Sequence, residues 1–416
     1  MIFRTKYLLA IILLVVTIDG SDSLSYSGKN YYVSPSGSDR NSGSIDSPWK
    51  DIEASVIKIS PGDVLNLRGG EYVPGYRIYI RKFHGGAPGL HKTIRSYPGE
   101  VAQLRKYGFL VEGNYIRIER LLFTDGASVG FDGTGSRILD CTFRGPLSWS
   151  MIGVSGDETL VERNTLEMQG SSMGTQGHGI YLSHGSGAVI RNNMISGSVA
   201  GYGIHVFDQR RGPDAKSFFR RIRNTLVEGN TVTGSTERSG IIAVAYDGAA
   251  IDNLTIRNNV VYGNARYGII VGAQASNVFI YNNTLYGNGG SPIYLDTNYS
   301  GGELSNVSIK NNILDLGGKT GIHHIAVTKS RDTFTADTNL YWPGPARLSG
   351  ISDPHAVVGD PQYVSTVAHD FRLRPGSAAI ERGLKLPGID VDREGVPRQR
   401  GTAIDMGAYE LIRTKR

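Results

Sequence analysis

A single cysteine, Cys141, stands in the 416 residues, so no disulfide can form within the chain and stability must come from packing. Long apolar runs are equally scarce. The main one, Leu8 to Ile18, falls short of the roughly 20 residues that a membrane-spanning helix needs. Arg4 and Lys6 precede it and small, polar residues follow, so residues 1–25 have the layout of a secretory signal peptide. No cysteine follows the run to carry a lipid. These absences predict an exported chain, secreted or periplasmic, with no membrane span once the leader is removed. Asp132, Asp208 and Asp247 could approach one another only through loops, so no metal or other cofactor is expected, with calcium left open. Strong charge of one sign is also missing. The net charge of +6 is modest, but it favours a polyanionic partner. No nucleic-acid-binding motif is present, and an exported basic protein, expected to be a monomer, meets acidic polysaccharide more readily than nucleic acid.

What the chain has in excess is glycine, 55 residues against a usual share of roughly 7%, and a repeat. The phrases VERNTLEM, VIRNNMIS, LVEGNTVT, TIRNNVVY, FIYNNTLY and SIKNNILD place Asn164, Asn193, Asn230, Asn259, Asn283 and Asn312 at one equivalent point, with spacings of 29, 37, 29, 24 and 29. Two earlier turns, IERLLF and ILDCTF, put Arg120 and Cys141 there. A second phrase follows each: GIYLS, GIHVF, GIIAV, GIIVG, PIYLD, GIHHI. Short alternating strands joined by tight turns, repeated at this period, predict a solenoid whose rungs supply one another's hydrogen bonds. An inward asparagine at each turn can bond the amide of the next, forming a ladder. Cys141 fits that ladder as a small apolar filler rather than a reactive thiol.

The ends differ from the repeat. SPWKDIEASVIKI, residues 47–59, predicts a short capping helix with Ser47 as N-cap, Pro48 in the first turn and an apolar stripe of Ile52, Val56 and Ile59. From Asp353 a polar tail is expected to cap the last rung or fold back along the coil. The organisation predicted is a leader (1–25), a capped coil (26–352) and a capping tail (353–416).

These phrases, with YYVSPSGSDRNSGSIDSPW at 31–49, PGDVLNLRGGEY at 61–72 and IDMGAYE at 404–410, resemble the secreted right-handed parallel β-helix family that includes pectate-lyase-like enzymes and NosD-like repeats. The resemblance implies an all-β fold, and a substrate, where there is one, lying across the sheet of the GIYL-type strands. It does not choose among lyase, hydrolase, epimerase and inert spike.

On that sheet HGIYL and YGIHV lie 24 residues apart. Alternation sends Tyr181 and His205 outward, one above the other, with His178 and Tyr202 as a second matched pair. The connection at 207–224 adds Asp208, Arg210, Arg211 and Lys216, while Trp149 lies one coil before and Arg238, Tyr246 and Asp247 one coil after. Two chemistries could use this set. In β-elimination His205 or Lys216 would be the base, Arg210 or Arg211 would neutralise a uronate carboxylate, and Tyr181 or His178 would assist the leaving oxygen. Hydrolysis would need two carboxylates, with Asp208 and Asp247 as candidates. One clear acid close to the histidines favours elimination. A solenoid that binds carbohydrate without cleaving it, its Tyr and His serving cross-strand packing, is the alternative. His323, His324 and the DPH at 353–355 read as structural.

Overall fold

The computed structural model describes residues 28–147, 149–172, 174–209, 221–246, 249–298, 303–329, 331–398 and 401–412; residues 1–25, expected as a leader, lie outside them. Each circuit of the chain adds one strand to each of three parallel sheets, giving an all-β right-handed parallel β-helix. Sheet 1 runs from Asn30–Val33 to Phe334–Asp337, sheet 2 from Gly70–Tyr72 to Val357–Val358, and sheet 3 from Ile78–Ile80 to Leu348–Ser349. Within a strand alternate residues face the interior. In register through sheet 1, Ile118, Ile138, Val161, Ile190, Val227, Ile256, Ile280 and Ile309 stack as one fully buried row. Each such side chain stabilises by about 1.5–3 kcal/mol through burial. Similar rows from all three sheets meet in one continuous core.

The asparagines stand at the turn from sheet 1 to sheet 2. Each ladder amide donates from Nδ2 to the next Oδ1 at 2.9–3.0 Å, and each backbone N–H donates to the same oxygen, from Asn164 through Asn312 to Asn339. The ladder therefore runs one rung past the phrases that predict it. It ends on Asp353, whose carboxylate accepts from Asn339 and from the Tyr341 hydroxyl at 2.7 Å. At its other end the Cys141 N–H donates to Asn164 Oδ1, and burial pushes the thiol up to about 12. One expected slot is shifted. Arg120 occupies the left-handed position before the slot, at φ 52°, as Arg163 does at 53°, and the buried residue in the slot is Leu121. The polar, solvent-facing turn residue and the slot residue are neighbours, and without an asparagine the phrase IERLLF does not say which is which.

The capping helix is shorter than the expected one, Ile52–Lys58, with Asp51 rather than Ser47 as its N-cap; Asp51 Oδ1 accepts from the Ala54 N–H at 2.7 Å. Ser47 to Asp51 stay extended because Trp49 pairs with the Asn30–Val33 strand and the Lys50 and Asp51 N–H groups donate to Asp39. The stripe of Ile52, Val56 and Ile59 is buried as expected.

The C-terminal segment folds back along the outer face of sheet 2. Its antiparallel strands Tyr363–Ser365 and Asp370–Leu373 and the IDMGAYE stretch build a second core with Val260, Tyr262, Ile313 and Leu340. Bonds from Arg393 to Thr231, from Arg398 to Asn258 and from Asn311 to the Leu384 carbonyl tie it across several rungs. Among the described residues no helix is long and apolar enough to cross a membrane.

Candidate active site

In the His178–Leu182 strand, Ile180 and Leu182 are fully buried in the core, so Tyr181 faces out; in Ile204–Gln209, Ile204 and Val206 do the same for His205 and Phe207. Tyr181 and His205 are register partners, which makes the 24-residue spacing a single circuit. The glycines around them allow close approach. A Cβ on Gly201 would overlap the Gly177 carbonyl oxygen and crowd His178 Nδ1.

The histidines are deeper than outward-facing strand residues usually are, with His178 4% and His205 8% exposed. The Tyr202 backbone N–H donates to His178 Nδ1 at 3.1 Å, and His178 Nε2 lies 3.0 Å from His205 Nδ1. A backbone N–H can only donate, so His178 Nδ1 is the acceptor and its proton sits on Nε2. That proton goes to His205 Nδ1, which leaves His205 with its own proton on Nε2. Both rings are neutral. Burial, reinforced by the Arg238 charge, pulls His178 down to about 4, and burial pulls His205 well below the ordinary imidazole value, with His178 and Arg238 adding to it.

Rings surround the pair. Tyr181 stacks on His178 at 5.7 Å between centroids and meets Trp149, 39% exposed, edge-on at 6.2 Å. Phe207 lies 4.9 Å from His205 and 5.3 Å from Tyr246, while the Arg238 guanidinium sits 5.8 Å from the centre of the Tyr202 ring. The result is a band across four rungs on which a sugar face can stack, with one cation beside it.

The fold thus brings together His178, His205, Tyr181, Tyr202, Trp149, Tyr246 and Arg238. It does not bring Asp208 to the same side: this residue belongs to the strand and not to the connection, shares the alternation of Ile204 and Val206, and lies 3.7 Å from His184 Nδ1. The strands also take up both ends of the segment expected as loop, through Gln209 and from Ile222. Arg210, Arg211, Lys216 and Asp247 lie outside the described residues. Among the described residues no three His, Cys, Asp or Glu gather as a metal site.

Sequence reasoning did not single out Phe207 or the continuation of the row through Ile242 and Ile270 to Tyr294, which stacks on Tyr267 at 4.4 Å. Their signal was available, since Phe207 lies two residues beyond His205 and Tyr294 holds in PIYLD the place that Tyr181 holds in GIYLS.

Residues 31–306 match the family described as Pel9A-like, right-handed beta helix region. The chain belongs to the Pel9A-like β-helix family. A solved structure of pectate lyase Pel9A shares the fold, with a TM-score of 0.62 and 19% identity over 92% of this chain and 96% of that one. A rhamnogalacturonan lyase structure follows with a TM-score of 0.55 and 17% identity over 89% and 95%. A 69-residue stretch is 41% identical to pectate lyase PEL9 of Emericella nidulans; it spans 17% of this chain and only 16% of that curated relative. Against this Pel9A-like frame, the His178–His205 pair and its rings lie on the outer face of sheet 3, the sheet of the GIYL-type strands.

Proposed function

We propose that the protein is an exported carbohydrate-active enzyme that binds an acidic, uronate-containing glycan along the outer face of sheet 3 and cleaves it by β-elimination. The observation that carries this reading is the neutral His178–His205 pair beside Arg238, set in a band of rings from Trp149 to Tyr246. Relatives named as lyases of pectate and rhamnogalacturonan, and the net charge of +6, support the same substrate class.

In this mechanism Arg238 pairs with the uronate carboxylate and stabilises the charge that develops when the proton alpha to it is removed. The hydrogen-bond order makes His205 a donor from Nε2 rather than the base, and His178 fixes that tautomer. Lys216 takes the alpha proton, the released electron pair forms the carbon–carbon double bond, the bond to the glycosidic oxygen breaks, and Tyr181 protonates that oxygen. Hydrolysis has less support, because Asp208, one of the two carboxylates it would use, faces away from His205.

The test is ultraviolet absorbance of the unsaturated product during incubation with pectate, alginate and glycosaminoglycans, with and without calcium. A rise that is lost in Lys216→Ala and falls by about 100-fold in Arg238→Ala, as expected for one lost transition-state contact, supports the reading. No rise on any polymer, with the protein folded, defeats it and favours the non-cleaving solenoid.

A further inference from the structure

A second cleft lies on the far side of the coil, where the tail crosses sheet 2. Tyr286, Asp315 and Trp342 are register partners on three successive rungs and share one outward row. With about 4.8 Å between rungs, the two rings stand roughly two rungs apart with the carboxyl between them. The tail supplies the opposite wall through Asp360, Gln362, Tyr363 and Arg374, around a cavity of about 590 Å³. Its strand packing explains part of this wall: the Tyr363 ring is 5.2 Å from Phe371 and 6.0 Å from Tyr286. Packing does not explain the hydroxyl. Tyr363 is 8% exposed, and its OH makes no hydrogen bond of ordinary geometry although the Asp315 carboxyl lies beside it. Asp315 is 3% exposed and accepts from the Gly317 N–H at 2.8 Å, and burial pushes its pKa up to about 7. Native proteins rarely leave a buried hydroxyl under-satisfied, and a ligand hydroxyl that reaches the Tyr363 OH would supply the missing partner.

We propose that this cleft is a second saccharide-binding site that takes neutral sugar residues, with Trp342 and Tyr286 as stacking platforms and Asp315, Tyr363 and Gln362 as partners for sugar hydroxyls. A half-buried aromatic ring beside a few convergent polar groups is the composition that sugar faces and edges require. The sign of charge selects against uronates. Asp315 and Asp360 face the cleft, and the guanidinium of Arg374 is turned to the Val364 carbonyl. A cation is a poorer fit, since among the described residues no third acidic or imidazole ligand joins these two carboxyls. The inference does not depend on whether sheet 3 cleaves anything; the site would hold the protein on a mixed polysaccharide while the opposite face engages the acidic chain.

The full chain run in native gels containing galactan, arabinan or xylan, with polygalacturonate as the acidic comparison, tests this. Retardation by at least one neutral polymer is expected, weakened about tenfold in Trp342→Ala, which removes a stacking ring, and several-fold in Asp315→Asn and Tyr363→Phe. The last two keep size and shape, so a folding defect in the tryptophan variant leaves the test intact. Cleavage of uronate polymer should be unchanged in all three. Wild-type protein that no neutral polymer retards, or conservative variants retarded as strongly as wild type, would overturn the proposal. So would a calcium-dependent rise in melting temperature that Asp315→Asn abolishes, which would assign the cleft to a cation.

Discussion

His178 and His205 are imidazoles held away from their ordinary chemistry by where their protons must sit. A backbone donor on His178 and burial of both rings leave the pair neutral with both protons on Nε2. Imidazole NMR should therefore find Nε2–H tautomers for both rings and no titration near 6.5; a resonance titrating there would refute the assignment. Stability follows the same shift. Folding lowers His178 from 6.5 to about 4, so the unfolded chain takes up the extra proton first as pH falls, and the contribution present above 6.5 is lost toward pH 4. Asp315 has the opposite sign. Its pKa rises from 3.8 to about 7 on folding, so its contribution is fully present below 3.8 and is lost as pH rises through 7. Asp315→Asn should raise the melting temperature at pH 8 and flatten its decline between pH 4 and 7; an unchanged profile would show that this carboxyl is solvated.

At the scale of the element, the asparagine ladder joins rungs through side chains as well as backbone. Asn259 Oδ1 accepts from both the N–H and the Nδ2 of Asn230, all three groups being buried. Asn259→Ala leaves two donors without an acceptor and should cost about 2–4 kcal/mol in urea unfolding, whereas Glu237→Ala on the surface should stay within about 0.5 kcal/mol. Equal effects would remove the ladder as a source of stability. The last rung uses a carboxylate because every group around it donates: the Thr338, Asn339 and His355 N–H groups, the Asn339 amide and the Tyr341 hydroxyl. That gives the DPH sequence a structural task. The ladder was readable from repeated Asn-containing phrases, but not its slip to Leu121 or its extension to Asn339, since both depend on which residue of a polar turn enters the core.

For the whole molecule, the tail decides how much of sheet 2 meets water. It covers Val260, Tyr262, Ile313 and Leu340 and is pinned as far back as Thr231. Ending the chain after Val358 should expose this face: hydrogen exchange should quicken in the strands from Thr231–Thr233 to Val357–Val358 while earlier rungs keep their protection, and the truncated protein should bind an apolar dye. Loss of protection throughout would mean that the coil folds as one cooperative unit. The same docking creates the Tyr286–Asp315–Trp342 cleft. Its coil-side residues recur at one position of the repeat, but its wall comes from residues distant in sequence.

The repeat by itself determined the solenoid, its inward rows and the meeting of Tyr181 with His205, because neighbouring rungs translate a sequence period directly into spatial contact. Only the tertiary structure decided the depth of the histidines, the order of protons between them, the extension of the strand through Gln209 that carries Asp208 and the path of the tail. These depend on burial, hydrogen-bond direction and long-range docking, which period and composition do not encode.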